Sequence, residues 1–244
     1  MPLFRKHGAE EPPAVPKDPP GWVRRSVALS VDPVRLSGDL VVPEAARAIV
    51  VFAHGSGSSR RSPRNIEVAD RLNGQALGTL LFDLLTEAEA EDGNRAFDVG
   101  LLASRLEAAA RWVWRWPALG GLPVGFFGAS TGAAAALVAA AKFRAEIAAV
   151  VSRGGRPDLA SDALERVTAP TLLIVGGNDI ETLASNSEAL ERMRCEKRLE
   201  VIDGAGHLFE EPEALARVAD LAGSWFAHHT TGARGGRRML PDVI

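Results

Sequence analysis

Leu122-Pro123-Val124-Gly125-Phe126-Phe127-Gly128-Ala129-Ser130-Thr131-Gly132-Ala133-Ala134-Ala135-Ala136-Leu137 is the stretch whose reading decides the fold. An apolar run over Leu122 to Phe127 passes through a small-residue turn into an alanine-rich segment. A short run with so little polar interruption suits a strand covered on both faces, and the segment after it suits a helix packed close to that strand. Strand, sharp turn and helix in succession are the unit of a parallel sheet, whose neighbouring strands can be joined only by a crossover.

Outward from this unit the same rhythm recurs. Ala48 to Ala53, Gly78 to Leu84, Ile147 to Ser152 and Pro170 to Val175 are further short apolar runs, and Arg198 to Ile202 supplies one more strand. Between them, Leu102, Leu106, Ala109, Trp112 and Val113 form a stripe of helical period, as do Leu215, Val218, Leu221 and Trp225. From Val23 to Val42, β-favouring stretches broken at Asp32-Pro33 and Ser37-Gly38 predict an antiparallel hairpin at a sheet edge. The economical architecture is α/β: a mainly parallel sheet of about eight strands with helices on both faces and right-handed crossovers.

The chain has 244 residues, 46% hydrophobic and 24% charged, which suits one large domain over 21–229. Five prolines between 11 and 20 predict a disordered arm over 1–20, and the Gly- and Arg-rich segment 230–244 predicts a flexible tail. A formal charge of -3 gives no basic footprint for nucleic acid or an anionic membrane, so neither is expected as a partner. The first residues lack the apolar core of a secretory signal, and no apolar run is long enough to span a bilayer. Cys195 is the single cysteine, which leaves no partner for an internal disulfide. A reducing cytoplasm fits these features.

An open parallel sheet binds ligands beyond the carboxyl ends of its strands, where loops converge and helix N-termini offer free N–H groups. The polar residues that follow the predicted strands are His54, Asp83, Ser130, Arg153, Asp179 and His207. Gly128-Ala129-Ser130-Thr131-Gly132 is a G-x-S-x-G pentapeptide between a strand and a helix, the context in which a serine becomes a nucleophile rather than part of a glycine-rich turn. Serine needs a base within reach and a third group to hold that base. Of the five histidines, His7 lies in the arm, His228 and His229 end the last helix, and His54 follows the third strand. His207, in a loop after the last strand, is the expected base. Asp179 follows the strand between serine and histidine and is the expected acid, with a helix N-cap as its alternative role. Asp203 is the other candidate and is expected to serve a turn.

In the order Ser130, Asp179, His207, with His54-Gly55 after an early strand, the chain resembles the α/β-hydrolase superfamily over about 45–228. Within it the chain is similar to the small dienelactone-hydrolase-like group, with the difference that the best-known members use cysteine where this chain has Ser130. The resemblance places the oxyanion hole in the His54-Gly55-Ser56-Gly57-Ser58 loop and just after the nucleophile, which implies the N–H of Thr131 and that of Gly55 or Ser56. His54, Arg60 and Arg153 are expected to contact substrate. Arg60, Arg61, Arg64, Arg153 and Arg156 lie in loops on this edge, so the substrate is expected to carry a carboxylate or phosphate; the alternative is a solvated rim of arginines. Only Arg153 to Ala169 separates the strand near Ser152 from the strand near Thr171, too little for a large cap. The implied activity is hydrolysis of a small ester, thioester or lactone through an acyl-enzyme, with no metal or cofactor. The alternatives are an acyltransferase or perhydrolase using the same three residues, and a non-catalytic binding protein on the same fold.

Overall fold

The computed structural model describes residues 21–230. The arm expected over 1–20 and the tail expected over 230–244 lie outside it, except that Thr230 is the last residue of the final helix.

Eight strands form one sheet in the order β1-β2-β4-β3-β5-β6-β7-β8. The strands are β1 (Val23–Val31), β2 (Val34–Val42), β3 (Ile49–Ala53), β4 (Gly78–Phe82), β5 (Val124–Ala129), β6 (Ile147–Arg153), β7 (Thr171–Gly176) and β8 (Lys197–Ile202). β1 and β2 pair antiparallel with each other and β2 antiparallel with β4, while every pairing from β4 through β8 is parallel. The hairpin turns at Asp32-Pro33 as expected. Ser37-Gly38, expected as a second break, lies inside β2 in unbroken register with Ala28 and Val27. Gly38 faces Phe82 on its other side, so the small residue serves sheet packing rather than a turn.

Among the described residues six α-helices accompany the strands: α1 (Pro63–Gly74), α2 (Glu87–Glu91), α3 (Val99–Arg115), α4 (Thr131–Phe143), α5 (Ile180–Arg192) and α6 (Ala214–Thr230). The stripe Leu102, Leu106, Ala109 and Val113 of α3 packs with Leu137 of α4 on one core, and Leu215, Val218 and Phe226 of α6 pack with Val68 and Leu72 of α1 on the other. Burial of both faces explains the continuous apolar runs: every residue of β3, β4, β5 and β7 is buried. A 3₁₀ segment, Pro157–Arg166, fills the interval between β6 and β7, and no larger cap stands there.

Phe226 is fully buried in the core shared by α6 and α1. Phe226→Ala should lower the unfolding free energy by about 3–5 kcal/mol, read from urea denaturation, because the lost ring leaves a cavity that close-packed neighbours fill only partly.

Candidate active site

Ser130 stands at the turn from β5 into α4 with φ 51° and ψ -120°. A non-glycine residue enters this left-handed region at a cost of about 1–3 kcal/mol, and it stays there only where its surroundings dictate it. Here the surroundings are two close approaches. A Cβ on Gly132 would lie 2.2 Å from the Ala53 carbonyl oxygen and 2.4 Å from that of His54, and one on Gly128 would lie 2.4 Å from Cα of Ala133. Only glycine fits at either place, so α4 starts pressed against the end of β3. The Ser130 N–H donates to the Arg153 carbonyl at 3.2 Å, and the side chain makes no capping bond to its own helix.

Asp179 occupies the N-cap position of α5, yet its side chain makes no capping bond there. Its Oδ2 instead lies 2.6 Å from Nδ1 of His207. The pairing of Gly176 with Ile202 brings the loops after β7 and β8 side by side, and Asn178 joins them through its N–H to the Ala205 carbonyl at 2.9 Å and its Nδ2 to the Gly204 carbonyl at 2.7 Å. Asp203 is exposed in the turn before Gly204. Ser130, Asp179 and His207 line one cleft of about 430 Å³ together with Arg156, Asp158, Glu181, Thr182 and Ser185. His207 also sits over the loop after β6, where a Cβ on Gly154 would be 3.6 Å from its Cε1. Among the described residues no hydrogen bond joins the Ser130 hydroxyl to the imidazole.

Thr131 is the first residue of α4, where a backbone N–H has no partner inside the helix. Of the two residues expected to complete an oxyanion hole, Ser56 is already engaged: its N–H donates to the Thr131 hydroxyl at 2.9 Å. Gly55 remains, and it lies so close to Ser130 that a Cβ would be 3.1 Å from the serine Cβ.

Two of the residues expected to contact substrate are already engaged by other parts of the protein. His54 is buried, accepts the Leu84 N–H on Nε2 at 3.0 Å and has Nδ1 3.0 Å from the Gly55 carbonyl. With Nε2 accepting, Nδ1 carries the proton and the ring is neutral. Burial, the largest influence, holds its pKa below the ordinary histidine value against the opposing Gly55 carbonyl and Asp83. The ring therefore ties the loops after β3 and β4 together. Arg60 is enclosed by carboxylates: Nε donates to Asp39 Oδ2 at 3.0 Å, Nη1 pairs with Asp83 Oδ2, and its backbone N–H donates to Asp83 Oδ1 at 2.9 Å. Burial disfavours its charge, but Asp83 and then Asp39 outweigh this and raise its pKa. Arg156 lies in the cleft, locked on Asp158 through bonds of 2.9 and 2.6 Å. Arg153 is buried at the end of β6 without a carboxylate partner among the described residues.

The polar lining by Asp158, Thr182 and Ser185 was not anticipated from the sequence, because these residues stand on segments whose apolar pattern shows only a helix. Nor was the role of Asp83, although its place after a strand marked it as a residue of this edge.

Residues 36–225 match the profile of the Dienelactone hydrolase family. A dienelactone hydrolase from Anabaena variabilis is 55% identical, with a TM-score of 0.83 over 86% of this chain and 99% of that one. A dienelactone hydrolase-like promiscuous phosphotriesterase from metagenomic libraries shares the fold at 20% identity and a TM-score of 0.71, over 86% of this chain and 99% of that one. A Mycobacterium tuberculosis protein named "Putative phosphoribosyl transferase" is 55% identical over 206 residues, 84% of this chain and 46% of the relative. The chain thus spans about half the length of the curated relatives it matches. A serine-bearing strand–turn–helix, an acid and a histidine at one rim of a mainly parallel sheet, and a family match over most of the length lead to one conclusion: the chain belongs to the dienelactone hydrolase family and has the α/β-hydrolase fold.

Proposed function

We propose that the protein is a serine hydrolase that cleaves a small carboxylic ester, thioester or lactone through an acyl-enzyme on Ser130. The observation that carries this reading is the 2.6 Å contact of Asp179 with Nδ1 of His207, in the cleft that also contains the strained Ser130. With Nδ1 donating to the carboxylate, Nε2 is the nitrogen free to take a proton. The hydrogen bond from the Ser130 hydroxyl to the imidazole is expected to form on substrate binding, as is common for catalytic hydrogen bonds that tighten only in the complex.

In the reaction, His207 Nε2 accepts the hydroxyl proton while Ser130 Oγ bonds to the carbonyl carbon, and the N–H groups of Thr131 and Gly55 hold the negative oxygen. The protonated imidazole, steadied by Asp179, gives its proton to the leaving group as the scissile bond breaks. Water then repeats the sequence on the acyl-enzyme. The cleft favours a polar substrate, since Asp158, Glu181, Thr182 and Ser185 line it. Ile180 and Leu208, each adjacent in sequence to a proposed catalytic residue, are exposed and offer limited apolar contact at the rim. A lipid acyl chain would find no sheltered apolar channel among these residues.

A cytoplasmic setting belongs to the same proposal. Among the described residues no helix is long and apolar enough to cross a membrane, and the single thiol, Cys195, is partly buried with its pKa raised chiefly by burial. The name of the Mycobacterium relatives describes proteins of which this chain matches 46% of the length.

Ser130→Ala should cut kcat on short-chain p-nitrophenyl esters by roughly 10⁴- to 10⁶-fold, and Asp179→Asn by about 10⁴-fold. Residual rates within tenfold of the parent, with folding verified by circular dichroism, would remove both residues from the mechanism. Gly55→Val, which forces a side chain against Ser130 and displaces the N–H, should lower kcat by roughly 10²- to 10³-fold. An unchanged kcat would assign the second oxyanion donor elsewhere.

A further inference from the structure

The last turn of α6 carries two adjacent histidines, His228 and His229. Successive residues of a helix point about 100° apart, so neighbouring side chains do not ordinarily meet. Here the two rings do meet, with centroids 4.7 Å apart and planes at 90°. Trp225, one turn earlier on the face of His229, lies against that ring at 4.5 Å, and its Nε1–H donates to the Pro170 carbonyl at 3.3 Å, just before β7. Packing thus turns the His229 imidazole inward and leaves its side chain 9% exposed.

The ring faces Glu196, the residue before β8, whose Oε1 lies 3.6 Å from Nε2 of His229. That distance is too long for a hydrogen bond, and Nε2 is buried without a hydrogen-bond partner. A protonated imidazole paired with the carboxylate is one way to satisfy such a group. Burial, the largest influence, works against it and holds the His229 pKa below the ordinary histidine value, opposed by Glu196 and helped by His228. A neutral ring with its proton on Nδ1 presents a lone pair on Nε2 toward the carboxylate.

Glu196, His228 and His229 each bring one ligand atom within 4.8 Å of the other two, and among the described residues no other three side chains of metal-ligating type converge so closely. Around a tetrahedral ion with bonds of about 2.0–2.1 Å, ligand atoms stand about 3.3 Å apart. His229 is held by packing, while His228 and Glu196 are exposed, so rotations of two surface side chains can admit an ion and close the set. Two imidazoles and one carboxylate suit zinc and its first-row neighbours rather than magnesium or calcium. The carboxyl end of a helix also carries partial negative charge, which favours a cation there.

We propose that Glu196, His228 and His229 form a binding site for a divalent ion of the zinc class, with water in the fourth position. The ion fastens the end of α6 to the start of β8. This site stands at the amino ends of β7 and β8, where the Glu196 carbonyl accepts the Thr171 N–H at 2.8 Å, whereas Asp179 and His207 follow the opposite ends of the same strands. The ion therefore takes no part in acyl transfer, and the site does not depend on that reading.

The full chain, prepared without a polyhistidine tag and freed of metal with EDTA followed by desalting, is titrated with Zn²⁺ in competition with a chromophoric chelator. One ion per chain is expected, with a Kd of roughly 10 μM or tighter. A hundredfold excess over that Kd should raise Tm by roughly 5–10 °C, and Mg²⁺ should not raise it. Glu196→Ala and His228→Ala, both at exposed positions, and His229→Phe, which keeps a ring against Trp225, should each weaken zinc binding by roughly tenfold or more. If His229→Phe does not fold, the two exposed variants decide. No stoichiometric uptake, or uptake unchanged in either Glu196→Ala or His228→Ala, overturns the site. Uptake abolished by His207→Ala overturns it as well, because the ion would then sit at the proposed catalytic residues.

Discussion

A carboxylate at a helix N-cap ordinarily turns inward to accept the free N–H groups of the first turn. Asp179 stands at that position and turns outward to the imidazole of His207. The parallel register of β7 with β8 sets the two loops at the same height, and the bonds from Asn178 to Ala205 and Gly204 fix them to each other. The His207 loop is held further by Glu211, which accepts the Gly206 N–H at 2.8 Å. Thus the orientation of the His207 imidazole depends on main-chain lacing between two adjacent strands, with the carboxylate as its last link.

Ser130 depends on a different constraint. It is held in its strained conformation where α4 begins against the end of β3, an approach that only hydrogen at Gly132 permits, and folds back on β5, which only hydrogen at Gly128 permits. The same closeness puts Gly55 beside Ser130 and lets the Thr131 hydroxyl take the Ser56 N–H. His54 then secures this loop to the next through Leu84. Strand packing, the serine's dihedral angles and the candidate oxyanion hole therefore stand or fall together. A substitution that separates β3 from α4 would disturb all three.

Much of this was legible from residue order. Uninterrupted apolar runs show strands covered on both faces, and the polar residues after those runs define one edge of the sheet, whatever the family. Ser130, Asp179 and His207 follow from that edge together with the pentapeptide. Contacts between distant segments were not legible. Arg60 and Arg153 look equivalent in the sequence, each in a loop at the carboxyl edge. The structure sets Arg60 against Asp39 from β2 and Asp83 from after β4, while Arg153 faces Asn65, Phe209 and another arginine. Periodicity does not encode which cation meets which carboxylate. Likewise the role of His54 turns on the Leu84 N–H, 30 residues away. Ser37-Gly38 read as a break because glycine and serine are common in turns, whereas in the sheet their small size lets neighbouring strands pack.

Intact-mass spectrometry after treatment with a fluorophosphonate measures the reactivity of the serine directly. One adduct, mapped by peptide sequencing to Ser130 and formed far more slowly when His207 is replaced by alanine, is the result that agrees with a serine activated by the imidazole. An unmodified chain, or an adduct on another residue at a rate indifferent to His207, would contradict the account at its centre.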